Sequence, residues 1–190
     1  MSLYLRSNFL LFIFLTLLLG VVYPGLCTLA LQAAFPAQTQ GSLIVREHHV
    51  LGSELIGQNF SDPRYFWGRL SATSPQVYNA ASSSGSNFNP ANPALFDAVK
   101  GRAEALRKAD PANKEPIPVD LVTASASGLD PHISPASAQY QAVRVAKARG
   151  LPPEQVQTLI KKHTEERQFG ILGEPRVNLL MLNLDLDGKL

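Results

Sequence analysis

The hydrophobic and polar positions divide the chain sharply after its first 35 residues. No Asp, Glu, Lys or Arg occurs from Ser7 to Val45, and Leu, Ile, Phe and Val dominate residues 9–35. A helix of about 27 residues is about 40 Å long, whereas the hydrocarbon core of a bilayer is about 30 Å thick. A cleaved signal peptide, the main alternative, has a shorter apolar region of about 7–15 residues. We therefore interpret residues 9–35 as an uncleaved transmembrane helix.

The flanks of this helix predict the domain order and the orientation. Residues 1–8 precede the helix, a polar linker follows over residues 36–41, and residues 42–190 form one domain of ordinary size. Arg6 is the basic residue before the span, and Arg46 is the next one after it. Because basic flanks are retained on the cytoplasmic side, we expect a cytoplasmic amino terminus and a domain outside the inner (plasma) membrane, in the periplasm or extracellular space.

Three residues within the span indicate contact with another helix. Pro24 lacks a backbone N–H and predicts a kink just after Tyr23. Gly20 and Gly25 are small enough to let a neighbouring helix approach closely. Gly20, Pro24 and Gly25 are therefore candidate subunit contacts, and the alternative is a lone anchor that tolerates a proline.

Short apolar segments and helical periodicities alternate along residues 42–190. Strands are predicted over residues 42–47, 50–58, 119–124 and 176–185. Helices are predicted to start at Pro93, Pro135 and Pro153, with Asn92 and Ser134 as N-caps of the first two. Strands come first, and helices and strands mix later. The pattern predicts an α/β (mixed α+β) domain with a sandwich-like arrangement.

The helical spacing also predicts which side chains face the core. Five residues form one apolar face of the first helix: Leu95, Phe96, Val99, Ala103 and Leu106. Five line one side of the second: Ala138, Gln141, Ala142, Val145 and Ala146. Arg144 is expected to lie elsewhere on that helix.

A Ser- and Asn-rich stretch, residues 70–92, shows neither the helical nor the strand periodicity of apolar residues. Irregular stretches longer than about 12–15 residues are usually functional or disordered. Tyr78 and Phe88 are poor residues for a linker, and Asn87, Asn89 and Asn92 can form Asx turns. We therefore expect an ordered loop rather than a flexible linker.

Composition narrows the function classes. The net charge is +2 and the basic residues are dispersed, so nucleic-acid binding has no support. The single cysteine, Cys27, lies in the predicted span, so the rest of the chain holds no disulfide. His163 and Glu166 share a helix face without a third ligand, so we expect no metal site.

One run of residues has the composition of a nucleophile system. Asp130, His132 and Ser134 alternate along the chain. They would serve a membrane-anchored extracytoplasmic hydrolase, whereas the alternative is that Asp130 and Ser134 cap the loop. A free-standing periplasmic solute-binding module is a further alternative.

The polar motifs, taken in order, resemble a known family. They are residues 52–58 (GSELIGQ), 65–69 (YFWGR), 84–87 (SGSN), 130–135 (DPHISP), 141–151 (QAVRVAKARGL) and 173–178 (GEPRVN), with Asn89-Pro90 and Asn92-Pro93. Together they are similar to the C subunit of the Kdp potassium-transporting ATPase. The resemblance covers essentially the whole chain.

The resemblance implies a non-catalytic accessory subunit of a high-affinity, ATP-driven potassium importer. Its implied partners are a channel-like potassium-binding subunit, a P-type ATPase catalytic subunit and a small single-helix subunit. The chain has no Asp-Lys-Thr-Gly phosphorylation motif, so it is not the hydrolysing subunit. The implied roles are assembly of the complex and a higher ATP affinity of the catalytic subunit.

The resemblance also implies site residues. Gln141 matches a glutamine implicated in nucleotide contact, and Arg144 lies in the same motif, so both are candidate nucleotide contacts. No tightly bound cofactor is expected, and ATP would be bound jointly with the catalytic subunit. The predicted topology nevertheless places Gln141 outside the cytoplasm, where ATP is scarce, and this conflict stays open.

A second contact surface is expected on the Ser- and Asn-rich loop. Ser86, Asn87, Asn89 and Asn92 are neutral hydrogen-bonding residues that could lie near a cation entry without trapping the ion. They are candidate contacts to the potassium-binding subunit.

Overall fold

The amino-terminal part of the chain is a long helix with a widened turn in its middle. In this computed structural model, which describes residues 2–189 with side chains from Tyr4 onwards, helix α1 spans Ser2–Leu17 and helix α2 spans Tyr23–Ala34. A π-helical turn, Leu18–Val22, joins them. The stretch Tyr4–Ala34 is long and apolar enough to cross a membrane. Its side chains are exposed except for the half-buried Cys27.

Pro24 explains the widened turn. Because proline has no N–H and its ring clashes with the carbonyl four residues earlier, the carbonyl of Gly20 loses its ordinary partner. The Tyr23 N–H instead donates to Leu18 O, five residues back, as in a π-bulge. The predicted disturbance is present, but it lies before Pro24 rather than just after Tyr23.

Residues 1–43 and 44–190 form separate compact units. A short helix α3, Pro36–Thr39, occupies the predicted linker. The hairpin of β1, Leu43–Arg46, and β2, His49–Ser53, follows. Glu47 and His48 form its turn, both with positive φ. The second predicted strand, over residues 50–58, is therefore shorter than expected and ends at Ser53.

The predicted helix starts are confirmed. Helix α4 spans Pro93–Ala109, α6 spans Pro135–Arg149 and α7 spans Pro153–Lys162. The side chain of Asn92 accepts from Ala94 N–H and that of Ser134 accepts from Ser137 N–H, as expected of N-caps. Two side chains differ from the predicted helix faces: Phe96 is 62% exposed, and Arg144 is buried.

The segment predicted as a strand over residues 119–124 is a single helical turn, α5, Val119–Val122. Its Asp120 carboxylate accepts hydrogen bonds from the Ser134 and Ser137 hydroxyls, at 3.1 and 2.6 Å, and from Ser134 N–H. These contacts tie α5 to the start of α6. Only Ala124 pairs as a strand residue, in a bridge to Leu70.

The predicted strand over residues 176–185 is also wrong beyond its first residues. A short strand β5, Arg176–Asn178, pairs antiparallel with β3, His132–Ile133, and with β4, Thr164–Glu165. Helix α8, Leu179–Leu186, then begins. Asn178 caps it by accepting from Met181 N–H at 3.1 Å. Leucine is a good helix former, and an apolar run of this length does not distinguish a buried strand from a buried helix.

The hydrophobic core lies mainly between helices and the segment around Trp67. Its members are Phe66, Trp67, Leu106, Leu121, Ile133, Ala138, Ala142, Val145, Ala146, Val156, Ile160, Val177, Leu179 and Leu182. The mixed α+β class is therefore confirmed, although helices rather than two facing sheets build the core.

The cap of α8 yields a stability prediction. We expect Asn178→Ala to lower the free energy of unfolding by about 1–2 kcal/mol, because Met181 N–H loses its acceptor. The measurement is urea denaturation of the full chain in detergent, followed by the fluorescence of Trp67, the only tryptophan. Asn178→Ser keeps a capping acceptor but loses, as alanine does, the amide donor to Glu54 O at 2.9 Å, so it is expected to lose less than alanine. An alanine variant as stable as wild type would contradict the assigned cap.

Candidate functional site

A segment that belongs to no sheet begins with a turn at the surface and then enters the core at Phe66, Trp67 and Gly68. We call residues 63–69 (PRYFWGR) the central segment. Side chains from other parts of the chain form hydrogen bonds with backbone groups along the whole segment. Its carbonyls receive hydrogen bonds from Arg144, Arg149, Asn183, Gln141, Arg102 and Tyr78.

Two buried side-chain amides act on this segment as a neighbouring strand would. Gln141 on α6 accepts from Trp67 N–H at 2.8 Å and donates to Trp67 O at 3.0 Å. Asn183 on α8 makes the same pair of bonds with Phe66, at 2.9 and 3.0 Å. Buried peptide groups are almost always hydrogen-bonded, so these amides replace a missing sheet partner.

Two arginines flank the indole of Trp67. The guanidinium carbons of Arg102 and Arg144 lie 5.1 and 4.9 Å from the ring centroid, within range of a cation–π interaction. Burial lowers the pKa of Arg144 to about 10 and also lowers the pKa of Arg102. Arg144 additionally donates to Pro63 O, to Tyr65 O and to Gln141 Oε1.

The two predicted nucleotide contacts therefore both hold the central segment. Gln141 is fully buried, and both ends of its amide have protein partners. Arg144 is buried beside it. Reaching a nucleotide would require either side chain to leave these partners. Nucleotide contact by Gln141 and Arg144 stays a prediction.

The run Asp130, His132 and Ser134 is divided between different partners. The Ser134 hydroxyl donates to Asp120 and accepts from Ser137 N–H, as a helix cap does. Asp130 accepts from His132 N–H at 3.0 Å and from Arg69 at 3.2 Å. Burial alone would raise the pKa of Asp130, but the hydrogen bonds from His132 and Arg69 outweigh it and lower that pKa. These contacts match loop capping, and the hydroxyl of Ser134 has the Asp120 carboxylate rather than the His132 imidazole as its acceptor.

Hydrogen bonds tie the Ser- and Asn-rich loop to the body of the domain. Ser84 N–H and the Ser83 hydroxyl both donate to Ser127 O at 3.0 Å. A Cβ on Gly85 would lie 2.7 Å from Ala126 O, so glycine permits the close approach of the two loops. The irregular, hydrogen-bonded loop is what the sequence predicts.

The candidate contacts on this loop differ in exposure. Asn89 and Asn92 accept from Ala91 and Ala94 N–H, which confirms two of the Asx turns. Asn87 is exposed and has a φ of 49°. Ser86 is half-buried and lines a groove of about 460 Å³ between the loop and α4. Apolar residues line most of that groove: Leu70, Ala72, Phe88, Leu95, Ala98, Val99, Val122 and Ala124.

The candidate subunit contacts within the span, Gly20 and Gly25, have open space beside them. A Cβ on Gly20 or on Gly25 would meet nothing within 4 Å. Their small size therefore serves no packing among the described residues, and Pro24 lies two residues after the end of the π turn.

The sequence analysis did not single out Asn183, Arg102 or Asp187. Asn183 had a signal, because it is an amide within the leucine-rich run 179–186 (LLMLNLDL) and is therefore a buried polar residue in need of partners. Asp187 accepts from Arg149 at 2.8 Å and from Tyr65 at 2.9 Å. Arg102 and Asp187 look like ordinary surface charges in the sequence, and only the tertiary structure brings them to the central segment.

The fold and these contacts define a class of protein: a mixed helix-and-sheet domain that follows one apolar helix of membrane-spanning length. Its buried polar side chains bind its own backbone. The family model for the K+-transporting ATPase c chain, KdpC, matches residues 5–188. The chain belongs to this family and is a subunit of a potassium-transporting ATPase complex.

Individual relatives agree with this assignment. The potassium-transporting ATPase KdpC subunit of Methylococcus capsulatus is 64% identical over 172 residues, which cover 90% of each chain. That of Polaromonas naphthalenivorans is 62% identical over 96% of this chain and 93% of the relative. That of Herpetosiphon aurantiacus is 62% identical over 92% and 91%.

The buried amide of Gln141 yields a second stability prediction. We expect Gln141→Met, which keeps the volume, to lower the free energy of unfolding by about 2–4 kcal/mol, because Trp67 N–H and Arg144 lose their acceptor. Urea denaturation followed by Trp67 fluorescence measures the loss. Gln139→Met, at an exposed site on the same helix, is the control and should change stability by less than about 0.5 kcal/mol. A loss at Gln141 no larger than the control's would contradict the structural role.

Asp187 yields a prediction about acid stability. Burial alone would raise the pKa of Asp187, but hydrogen bonds from Arg149 and Tyr65 outweigh it and lower that pKa. A carboxyl group with a lowered folded-state pKa stabilises the fold above its unfolded pKa of about 4, and this stabilisation is lost as the pH falls through the folded pKa. Asp187→Asn should therefore be less stable than wild type at pH 7.

The difference in the free energy of unfolding between wild type and Asp187→Asn should disappear as the pH falls below about 4. Denaturation series at several pH values measure it, with Asp97→Asn, an exposed position on α4, as the control. A gap that stays constant down to pH 2 would show that the ionised carboxylate is not what stabilises the fold.

Proposed function

We propose that this chain is a non-catalytic accessory subunit that assembles and stabilises an ATP-driven potassium importer. The observation that carries the proposal is the match of the KdpC family over residues 5–188. The internal contacts support it, because the polar residues that could have formed a nucleophile system or a nucleotide pocket cap helices and hold the central segment.

The proposed partners are the channel-like potassium-binding subunit, the P-type catalytic subunit and the small single-helix subunit. The proposed arrangement has the amino terminus in the cytoplasm, one span in the inner membrane, and the domain on the periplasmic or extracellular side. Charge supports this orientation, since Arg6 precedes the span and the next basic residue is Arg46.

Two surfaces are proposed to contact the other subunits. In the membrane, Gly20 and Gly25 leave open space beside the π turn and Pro24, where a partner helix can pack closely. Outside, the neutral loop that carries Ser86, Asn87, Asn89 and Asn92 borders an apolar groove, and it is proposed to contact the potassium-binding subunit.

The proposed effect on the catalytic subunit is a higher affinity for ATP, with no ATP bound tightly by this chain alone. Gln141 and Arg144 are proposed to act on that affinity through the position of the domain, because both side chains are buried and already partnered. This route needs no ATP on the outer side of the membrane.

The test is recovery of the complex. We predict that the tagged full-length chain, expressed with the other subunits and purified in mild detergent, brings down the P-type ATPase subunit. Potassium-dependent ATP hydrolysis should appear in that fraction and be absent from the tagged chain alone. A chain that purifies alone, or that hydrolyses a substrate by itself, would contradict the proposal.

Cysteine crosslinking refines the test. Cys27→Ser removes the only native thiol, and single cysteines at positions 82–92 then report neighbours of the loop. Crosslinks from Ser86→Cys to the potassium-binding subunit are expected, with Lys147→Cys on the exposed side of α6 as the control. A loop that gives no crosslink at any position would contradict the proposed contact while leaving the assembly role intact.

A further inference from the structure

A small hairpin near the carboxyl terminus presents an apolar tip. Gln168 N–H donates to Leu172 O and Leu172 N–H donates to Gln168 O, both at 2.9 Å, which closes the turn. Phe169, Ile171 and Leu172 are 91%, 76% and 54% exposed. We call these three residues the apolar tip.

Phe169 is unfavourable at its position for two independent reasons. Its φ is +54°, a conformation that favours Gly or Asn, and the positive-φ positions nearby, Gly170 and Gly173, are glycines as expected. Its ring is also almost entirely in water, which costs the burial that a phenylalanine would otherwise provide. An Asn here would suit the isolated domain better, so the domain's own stability does not explain the phenylalanine.

The charges around the tip indicate what kind of surface it meets. Arg167 pairs with Glu174, and Arg176 pairs with Glu165 at 2.6 Å. Residues 165–176 carry three acidic and two basic side chains, so the stem has no basic excess. Anionic lipid surfaces attract basic segments. With three acidic and two basic side chains the stem is net negative, which disfavours contact with an anionic lipid surface, so the apolar tip suits a protein pocket better.

We propose that the apolar tip inserts into an apolar pocket on another subunit of the same ATPase complex, with Phe169 as the anchor. The inference rests on the proposed accessory function, and it adds a third contact at a different place on the domain from the Ser- and Asn-rich loop. A few side chains in well-packed, desolvated pockets carry most of the binding energy in protein interfaces.

The first test separates binding from folding. Phe169→Asn in the full-length chain should leave the unfolding midpoint of the isolated subunit unchanged or raise it. In the co-expressed complex it should lower recovery of the partner subunits at least tenfold. Val119→Asn is the matched control, because Val119 is 72% exposed on α5, and it should leave recovery unchanged.

The outcomes are distinguishable. Normal recovery with wild type and undiminished recovery with Phe169→Asn would overturn this inference alone. A wild-type chain that brings down no ATPase subunit would overturn the proposed function and this inference with it.

The second test identifies what the tip touches. A photoreactive phenylalanine analogue at position 169, in the assembled complex in native membranes, should form an adduct with another subunit. The same analogue at position 119 should give no such adduct. Adducts at position 169 with lipid alone would show that the tip contacts the bilayer and would overturn the proposal.

Discussion

The structure of this domain depends on the need to satisfy the peptide groups of Phe66 and Trp67, which are buried without a neighbouring strand. The central segment, residues 63–69, carries Phe66 and Trp67 into the core. Two amides, Gln141 and Asn183, bind the N–H and C=O of successive residues as a strand would. Because leaving a buried N–H or C=O unpaired costs as much as a lost hydrogen bond, helices α6 and α8 are held in place by this pairing as well as by their apolar faces.

This constraint also explains why so many charged and polar side chains are inside. Arg102 and Arg144 lie over the indole of Trp67 and donate to nearby carbonyls, and Arg149 joins the central segment to Asp187 at the carboxyl end. An arginine offers five donors in a rigid fork, so a few arginines satisfy many carbonyls. The result is a domain whose polar interior stabilises its own shape and leaves the outer surface to its partners.

The surfaces that face outwards are consistent with a subunit of a membrane complex. Gly20 and Gly25 open the helix surface beside the π turn. An apolar groove runs beside the Ser- and Asn-rich loop. Phe169 is exposed to solvent and has a backbone conformation that is unfavourable for phenylalanine. Membership of the KdpC family gives these features a common context, since the chain is a subunit of a potassium-transporting ATPase complex.

The sequence by itself determined the features that depend on local physics. The apolar helix and the caps at Asn92 and Ser134 each follow from residues within a few positions of one another. Tertiary structure alone decided whether residues 119–124 and 179–186 are strand or helix, because short apolar runs suit both and the choice rests on distant partners such as Asp120 with Ser137 and Asn183 with Phe66. It also decided that Arg144 is buried, since no periodicity shows that carbonyls far away in the sequence need a donor.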